Sequence, residues 1–95
     1  MAAYFIVNVE VKDPDRYAEY VRTAPQSIAK YGGKYLVRGG TAQKVEGSYE
    51  PKRVVILEFE SLERARQWWA CEEYRAPKAL RQATSVTDMI LVQGV

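Results

Sequence analysis

Residues 53–60, RVVILEFE, are the stretch of this 95-residue chain that most strongly limits which folds it can adopt. The branched apolar run Val54–Leu57 continues into Glu58, Phe59 and Glu60. Such a run predicts a strand that is apolar on both faces. Helices of the same chain can cover only one of those faces, so the pattern calls for a second layer over the other.

The residues before this strand predict a strand, a helix and a second strand. Ala3–Val11 alternates apolar and more polar residues with period two. Asp13-Pro14-Asp15 predicts a helix start, Pro25 a kink or restart, and Gly32-Gly33 the helix end. Further on, Lys34–Arg38 predicts the second strand, with a bulge at Gly39-Gly40, an extended segment over Thr41–Glu46 and a turn over Gly47–Lys52.

The residues after it predict a helix and a last strand. Ser61 is a good helix cap, and Cys71–Tyr74 predicts a break before a short helix around Pro77–Ala83. Val86–Gln93 predicts the fourth strand. The order β-α-β-β-α-β is that of the α+β, ferredoxin-like class, with a four-stranded antiparallel sheet and both helices on one face. Residues 1–95 form one domain of this kind.

The aromatic content and the sheet pattern together predict a homodimer. Seven Tyr, two Trp and two Phe are a large apolar load for so short a chain. On the first and third strands, the face opposite the helices would carry apolar side chains as well, namely Tyr4, Ile6, Val54 and Ile56. Pairing of two copies through this face would bury it.

Composition excludes several classes of function. The chain has no histidine and one cysteine, Cys71, so we expect no histidine-based catalytic couple, no histidine-ligated zinc or haem and no intrachain disulfide. We predict neither a metal site nor a cofactor. The net charge is only +2, with no basic stripe, which argues against nucleic acid as a partner. No apolar run is long enough to span a membrane. We therefore expect a cytoplasmic protein without a membrane partner.

Several motifs together resemble one family of small bacterial proteins. They are VKDPDRYAEY at 11–20, AKYGGKYLVRGG at 29–40, Glu46-Gly47, VVILEFES at 54–61 with Ala65, and WWACEEY at 68–74. The chain resembles the family catalogued as domain of unknown function 1330 along nearly its whole length. The resemblance implies a ferredoxin-like subunit that pairs sheet to sheet into a dimeric α+β barrel. The wider superfamily includes cofactor-free monooxygenases, haem enzymes and lactone isomerases, and its haem enzymes need an axial histidine that this chain lacks.

Arg38 and Glu58 are the predicted catalytic residues. An arginine at a glycine bulge can clamp a carboxylate or an enolate, whereas the simpler interpretation pairs it with Glu58 or Glu46. Glu58 interrupts the most apolar strand, on the face predicted to meet the partner subunit. Desolvation there would raise its pKa and suit it to act as a general base, and the alternative is a structural ion pair.

Four further residues are predicted to bind ligand. Asn8 shares the outer face of the first strand, where a structural hydrogen bond is the alternative role. Trp68 is the second candidate; it is adjacent to Trp69 on a helix, so one of the two is expected in the core and the other at a pocket or interface. Tyr74 and Arg81 are the third and fourth. Tyr74 and Arg81 lie seven residues apart, on roughly one helix face.

Two functions remain open at this point. One is a small-molecule-binding homodimer that acts as a cofactor-free enzyme, isomerase-like or monooxygenase-like, on a small organic acid, lactone or phenol. The other is a binding or interaction module without enzymatic activity. The pocket is expected either between the sheet and the helices or at the dimer seam.

Overall fold

Four strands and three helices follow one another along residues 1–95 of the computed structural model. Their bounds are β1 Ala3–Val11, α1 Pro14–Lys30, β2 Lys34–Gly40, β3 Arg53–Phe59, α2 Leu62–Ala70, α3 Glu72–Thr84 and β4 Ser85–Gln93. The sheet order is β2-β3-β1-β4, and every neighbouring pair is antiparallel. The predicted α+β ferredoxin-like fold is confirmed, with the second helix divided into α2 and α3.

Local sequence explains where the helices begin and divide. The Asp13 carboxylate accepts from the backbone N–H of Arg16 at 3.3 Å, and the Ser61 hydroxyl accepts from that of Arg64 at 3.1 Å. Each bond satisfies an N–H that the first helical turn leaves free. Cys71 has extended backbone between α2 and α3, so the predicted break is confirmed. None of the helices is long and apolar enough to cross a bilayer.

The strands separate two unlike faces, as their alternation predicts. On the helix-covered face Phe5, Val7 and Val9 of β1 are buried and align with Leu57, Val55 and Arg53 of β3. On the outer face the register places a row of aliphatic side chains across all four strands: Val37, Ile56, Ile6 and Ile90. The outer face is therefore apolar through its middle.

The core is an aromatic cluster built around Trp68 of α2. Its ring centroid lies 4.1 Å from that of Tyr74, 5.2 Å from Phe5 and 5.4 Å from Phe59. The indole Nε1 donates to the Ser27 hydroxyl at 3.1 Å. Trp68 thereby joins α2 to α1, to α3 and to the sheet.

Two predicted boundaries were wrong. At Pro25, where a kink or a restart was predicted, the restart is excluded because α1 continues from Pro14 to Lys30. The extended segment predicted over Thr41–Glu46 is irregular. Gly40 already pairs with Val54 near the start of β3, so the residues after Gly40 have no neighbouring strand to pair with. Helix α3 covers Glu72–Thr84 rather than only Pro77–Ala83, because Pro77 lies within its second turn and does not interrupt it.

Candidate functional site

A cavity of about 30 Å³ lies between the helices and the covered face of the sheet. Fourteen residues line it, of which eleven are hydrophobic and the other three are arginines. Its polar atoms belong to Arg38, Arg53, Arg81, Tyr17, Tyr20 and Tyr35. Its lining, an apolar wall on which a few polar groups converge, is that of a small-molecule site, but its volume is only about a tenth of that of such sites.

Bulges in β2 turn Arg38 toward the cavity. Tyr35 pairs with Leu57 and Arg38 with Val55, so both side chains lie on the helix-covered face although they are three positions apart. The register shift between Tyr35 and Val37 makes this possible, since each bulge adds one unpaired residue. A second shift follows at Gly39, where the predicted bulge is confirmed.

A proline in α1 provides the acceptor for Arg38. Pro25 has no N–H, so the carbonyl of Val21, four residues earlier, receives no hydrogen bond from it. The Nη2 of Arg38 donates to that carbonyl at 2.9 Å. The guanidinium also lies 4.5 Å above the ring of Tyr35, within the range of a cation–π contact. Arg38 is thus fixed between β2 and α1.

Gly39 provides the space in which Arg53 lies. The glycine has φ +73°, a conformation that L side chains rarely adopt, and a Cβ there would come within 2.8 Å of the Arg53 Cζ. The Nε of Arg53 is buried and has no hydrogen-bond partner. A buried N–H without an acceptor is rare and unfavourable, and at this cavity it marks an unfilled donor.

Arg81 is held by a short chain of phenols. Its Nε donates to the Tyr74 hydroxyl at 3.3 Å, and the Tyr74 and Tyr20 hydroxyls are 2.9 Å apart. Arg81 is 4% exposed. Burial lowers its pKa, but the phenolic oxygens of Tyr74 and Tyr20 outweigh that effect and place the pKa above its ordinary value. Arg81 is therefore a fixed positive charge in the interior.

The three lining tyrosines are hydrogen-bonding groups rather than bases. Burial raises the pKa of Tyr17, Tyr20 and Tyr35 above the usual value, although nearby arginines act in the opposite direction. Their hydroxyls therefore keep their protons at neutral pH. No aspartate or glutamate lines the cavity, so the arrangement can bind and polarise an oxygen but has no carboxylate to remove a proton.

The structure brings together only part of the predicted site. Arg38, Trp68 and Arg81 line the cavity, and Tyr74 lies behind it, bonded to Arg81. Glu58 is on the outer face, where its carboxylate lies 3.3 Å from the Nζ of Lys34. Arg38 and Glu58 are thus on opposite faces of the sheet and form neither the predicted catalytic pair nor a mutual ion pair within the chain.

Asn8 has a structural role instead of a place at the cavity. It lies on the outer face of β1, and its side-chain amide donates to the Glu50 carbonyl at 3.0 Å. The amide oxygen accepts from the backbone N–H of Lys52 at 2.7 Å. These two bonds attach the connection between β2 and β3 to the sheet.

Sequence reasoning missed Arg53, Tyr17, Tyr20 and Tyr35. The tyrosines lie within the segments predicted as the first helix and the second strand, and a hydroxyl on an otherwise apolar face gives no separate signal. Arg53 did offer one. Arg53 lies two residues before Val55 and four before Leu57, and side chains at such spacing point to the same face of a strand. Alternation alone therefore places a charged residue on the helix-covered face.

Replacing Tyr20 with phenylalanine is expected to test the phenol chain through alkaline stability. Because the pKa of Tyr20 is raised, the folded state holds the phenolic proton more tightly than the unfolded state does. The contribution of Tyr20 to the free energy of unfolding is therefore present below about pH 10 and is lost as the pH rises further. We expect Tyr20→Phe to cost about 1 kcal/mol at pH 7 through the lost hydrogen bond. The difference in the free energy of unfolding between Tyr20→Phe and the unsubstituted protein should then shrink above about pH 10.

Urea denaturation at pH 7, 9 and 10.5 measures this difference. Tyr49→Phe is the matched control, because Tyr49 is 55% exposed on the connection between β2 and β3. A Tyr20→Phe penalty that stays constant or grows with pH would contradict the assignment.

The fold and the cavity define a class: a small ferredoxin-like α+β domain with an internal cavity lined in part by arginines and tyrosines. The chain belongs to the family described as domain of unknown function DUF1330, whose profile matches residues 2–95. No three His, Cys, Asp or Glu side chains come together as a metal site. No curated protein is significantly similar to the chain in sequence.

Solved structures of low sequence identity share the fold. A protein of unknown function from Rhodopseudomonas palustris has a TM-score of 0.81 and 19% identity, over 99% of this chain and 82% of that one. A dimeric ferredoxin-like protein of unknown function from Jannaschia sp. has a TM-score of 0.74 and 11% identity, over 99% and 100%. The cofactor-independent oxygenase SnoaB from Streptomyces nogalater has a TM-score of 0.64 and 10% identity, over 99% and 93%.

Proposed function

We propose that this protein is a homodimer that binds a small organic molecule in the cavity between the sheet and the helices. The observation that carries the proposal is the convergence of Arg38, Arg53 and Arg81 on an otherwise apolar cavity. Arg81 is buried, Arg53 is partly buried and Arg38 is exposed, and none of the three has an ion pair within the chain. A buried arginine without an anionic partner is costly. Their placement is explained when a ligand oxygen accepts from them.

The outer face of the sheet supports the dimer. Ile90 and Val92 of β4 are 60% and 42% exposed in the single chain, and Leu36 of β2 is 51% exposed. These residues adjoin the aliphatic row on β1 and β3, so the exposed patch is continuous across the sheet. The Jannaschia protein of the same fold is described as dimeric. Two copies that pair through this face would also bring Glu58 to the interface.

The chemistry available at the cavity is polarisation of an oxygen. An arginine at a ligand carbonyl or enol stabilises developing negative charge, as isomerisation or cofactor-free oxygenation of an organic acid, lactone or phenol requires. SnoaB, which shares the fold, is described as a cofactor-independent oxygenase. In this version Arg38 and Arg81 contact the ligand, Trp68 forms the apolar wall and Tyr74 positions Arg81. We place the protein in the cytoplasm, where the free thiol of Cys71 would stay reduced.

A binding protein without catalysis is the second candidate. It is favoured by the absence of a carboxylate or histidine from the lining of the cavity, because no lining group can accept a proton from the ligand at neutral pH. The two candidates differ in whether a bound ligand is recovered unchanged. Incubation of a stabilising compound with the protein in air, followed by mass spectrometry, separates them.

A thermal-shift screen of carboxylates, phenols and lactones is expected to find compounds that stabilise the protein. A ligand at a hundred times its dissociation constant adds about 2.7 kcal/mol, which raises the Tm of a domain of this size by roughly 10 °C or more. Arg38→Ala should reduce the shift, because Arg38 lines the cavity.

Arg22→Ala is the control, since Arg22 lies exposed on α1 and does not line the cavity. If no compound shifts the Tm, or if Arg38→Ala keeps the full shift, the proposed site is wrong.

A further inference from the structure

We propose that the cavity selects an ionised monocarboxylate with an apolar body, whose carboxylate oxygens accept from Arg53 and Arg81. This rests on the proposed function and narrows its ligand from organic acids, lactones and phenols to one class. Three features of the cavity support it: its net charge, an unfilled donor, and its size and lining.

The first feature is an excess of positive charge. Arg38, Arg53 and Arg81 border the cavity, and no acidic residue does. The six ion pairs of the chain all involve other basic residues. The burial cost falls mainly on Arg81, which is 4% exposed, since Arg53 is only partly buried and Arg38 is exposed. A guanidinium stays charged at any physiological pH, so Arg81 cannot relieve its burial by losing a proton. A bound anion supplies the charge that the protein does not.

The second feature is the unfilled donor of Arg53. Its Nε is buried without an acceptor, and the guanidinium lies against Gly39, where any side chain would overlap it. The Nε edge of a guanidinium can donate two parallel hydrogen bonds to one carboxylate. A carboxylate that reaches this edge would supply the acceptor that the protein lacks.

The third feature is the match between the walls and a flat, singly charged head group. Eleven of the fourteen lining residues are hydrophobic, and the volume is about 30 Å³. That volume is roughly the space of two water molecules. It suits a planar carboxylate better than a tetrahedral phosphate with two charges, and it is too small to hold a benzene ring as well. The apolar body of the ligand would therefore lie at the opening of the cavity beside Arg38, which lines the cavity and is exposed. A neutral phenol or lactone would leave the arginines without a counter-charge.

Calorimetric titration of the full chain with sodium benzoate tests the proposal. Benzamide has nearly the same shape without the charge, and inorganic phosphate supplies charge without an apolar body. We expect benzoate to bind at least tenfold more tightly than either. Arg53→Gln should weaken benzoate binding at least tenfold. Arg75→Gln is the matched control, because Arg75 is an exposed arginine of α3, paired with Glu72 and away from the cavity.

The comparison of benzoate with benzamide needs no variant, so a folding defect in Arg53→Gln does not obscure the result. Equal affinity for benzamide, or tighter binding of phosphate, would overturn the carboxylate proposal. Full benzoate affinity in Arg53→Gln would overturn the role of Arg53. If a neutral phenol or lactone stabilises the protein and benzoate does not, the proposed function stands and this inference fails. If nothing binds, both fail.

Discussion

Replacing Ile6 with glutamate is expected to convert the proposed dimer to a monomer. Ile6 lies on an inner strand of the sheet, between Ile56 and Ile90 in the aliphatic row of the outer face. In a two-fold interface each protomer carries the substitution, so two glutamate side chains are buried close to each other and both carboxylates lose their hydration. Each unpaired buried charge costs several kcal/mol, so a total of about 4 kcal/mol or more weakens the dimer roughly a thousandfold.

Light scattering at micromolar concentration measures the outcome. The original protein should have twice the 10.8 kDa mass of the chain, and Ile6→Glu should have that mass once. Val45→Glu is the control, because Val45 is 96% exposed in the connection between β2 and β3. Circular dichroism shows whether the monomer keeps its fold. A mass of 10.8 kDa for the original protein, or an intact Ile6→Glu dimer, would refute the interface.

Truncation of Trp68 to alanine is expected to be the most destabilising single substitution proposed for the core. The side chain is 0% exposed and contacts the rings of Phe5, Phe59 and Tyr74. Loss of a buried tryptophan costs about 3–5 kcal/mol, because the surrounding structure closes only part of the cavity. The Nε1 bond to Ser27 is lost as well. The Tm should fall by at least roughly 12 °C.

Trp69→Ala provides the matched comparison on the neighbouring residue. Trp69 is half-buried and borders an open depression with Phe5, Arg66, Met89 and Leu91. Trp69→Ala should lower the free energy of unfolding by about half as much as Trp68→Ala, or less. Scanning calorimetry at one protein concentration makes the comparison, since the Tm of a dimer depends on concentration. Equal losses for the two tryptophans would show that Trp68 is not the centre of the core.

The elements of the fold were predictable because their signals are local. The period of two in β1 and the apolar run in β3 identify strands whatever they pack against. The caps at Asp13 and Ser61 act within three residues of themselves. The end of β2 was not predictable in this way, because a strand continues only where a neighbour pairs with it, and the pairing stops at Gly40.

The site was predictable only in part. Arg38, Trp68 and Arg81 do line the cavity, but Glu58 and Asn8 face the other way. Arg38 and Glu58 do not meet within the chain, because the bulge between Tyr35 and Val37 shifts the alternation of β2 by one residue and places the side chain of Arg38 on the helix-covered face. Counting positions along the sequence cannot show how many residues a bulge adds.

By itself, the sequence determined the strand and helix order, the two apolar faces of the sheet and the lack of any histidine chemistry. Each of these depends on residue type or on neighbours a few positions away. The tertiary structure alone decided that three arginines from β2, β3 and α3 converge on one cavity without a carboxylate. It also decided that Gly39 makes room for Arg53 and that the Val21 carbonyl, left free by Pro25, accepts from Arg38. These contacts join residues far apart in the chain, and their geometry is set by register and packing, which no single segment encodes.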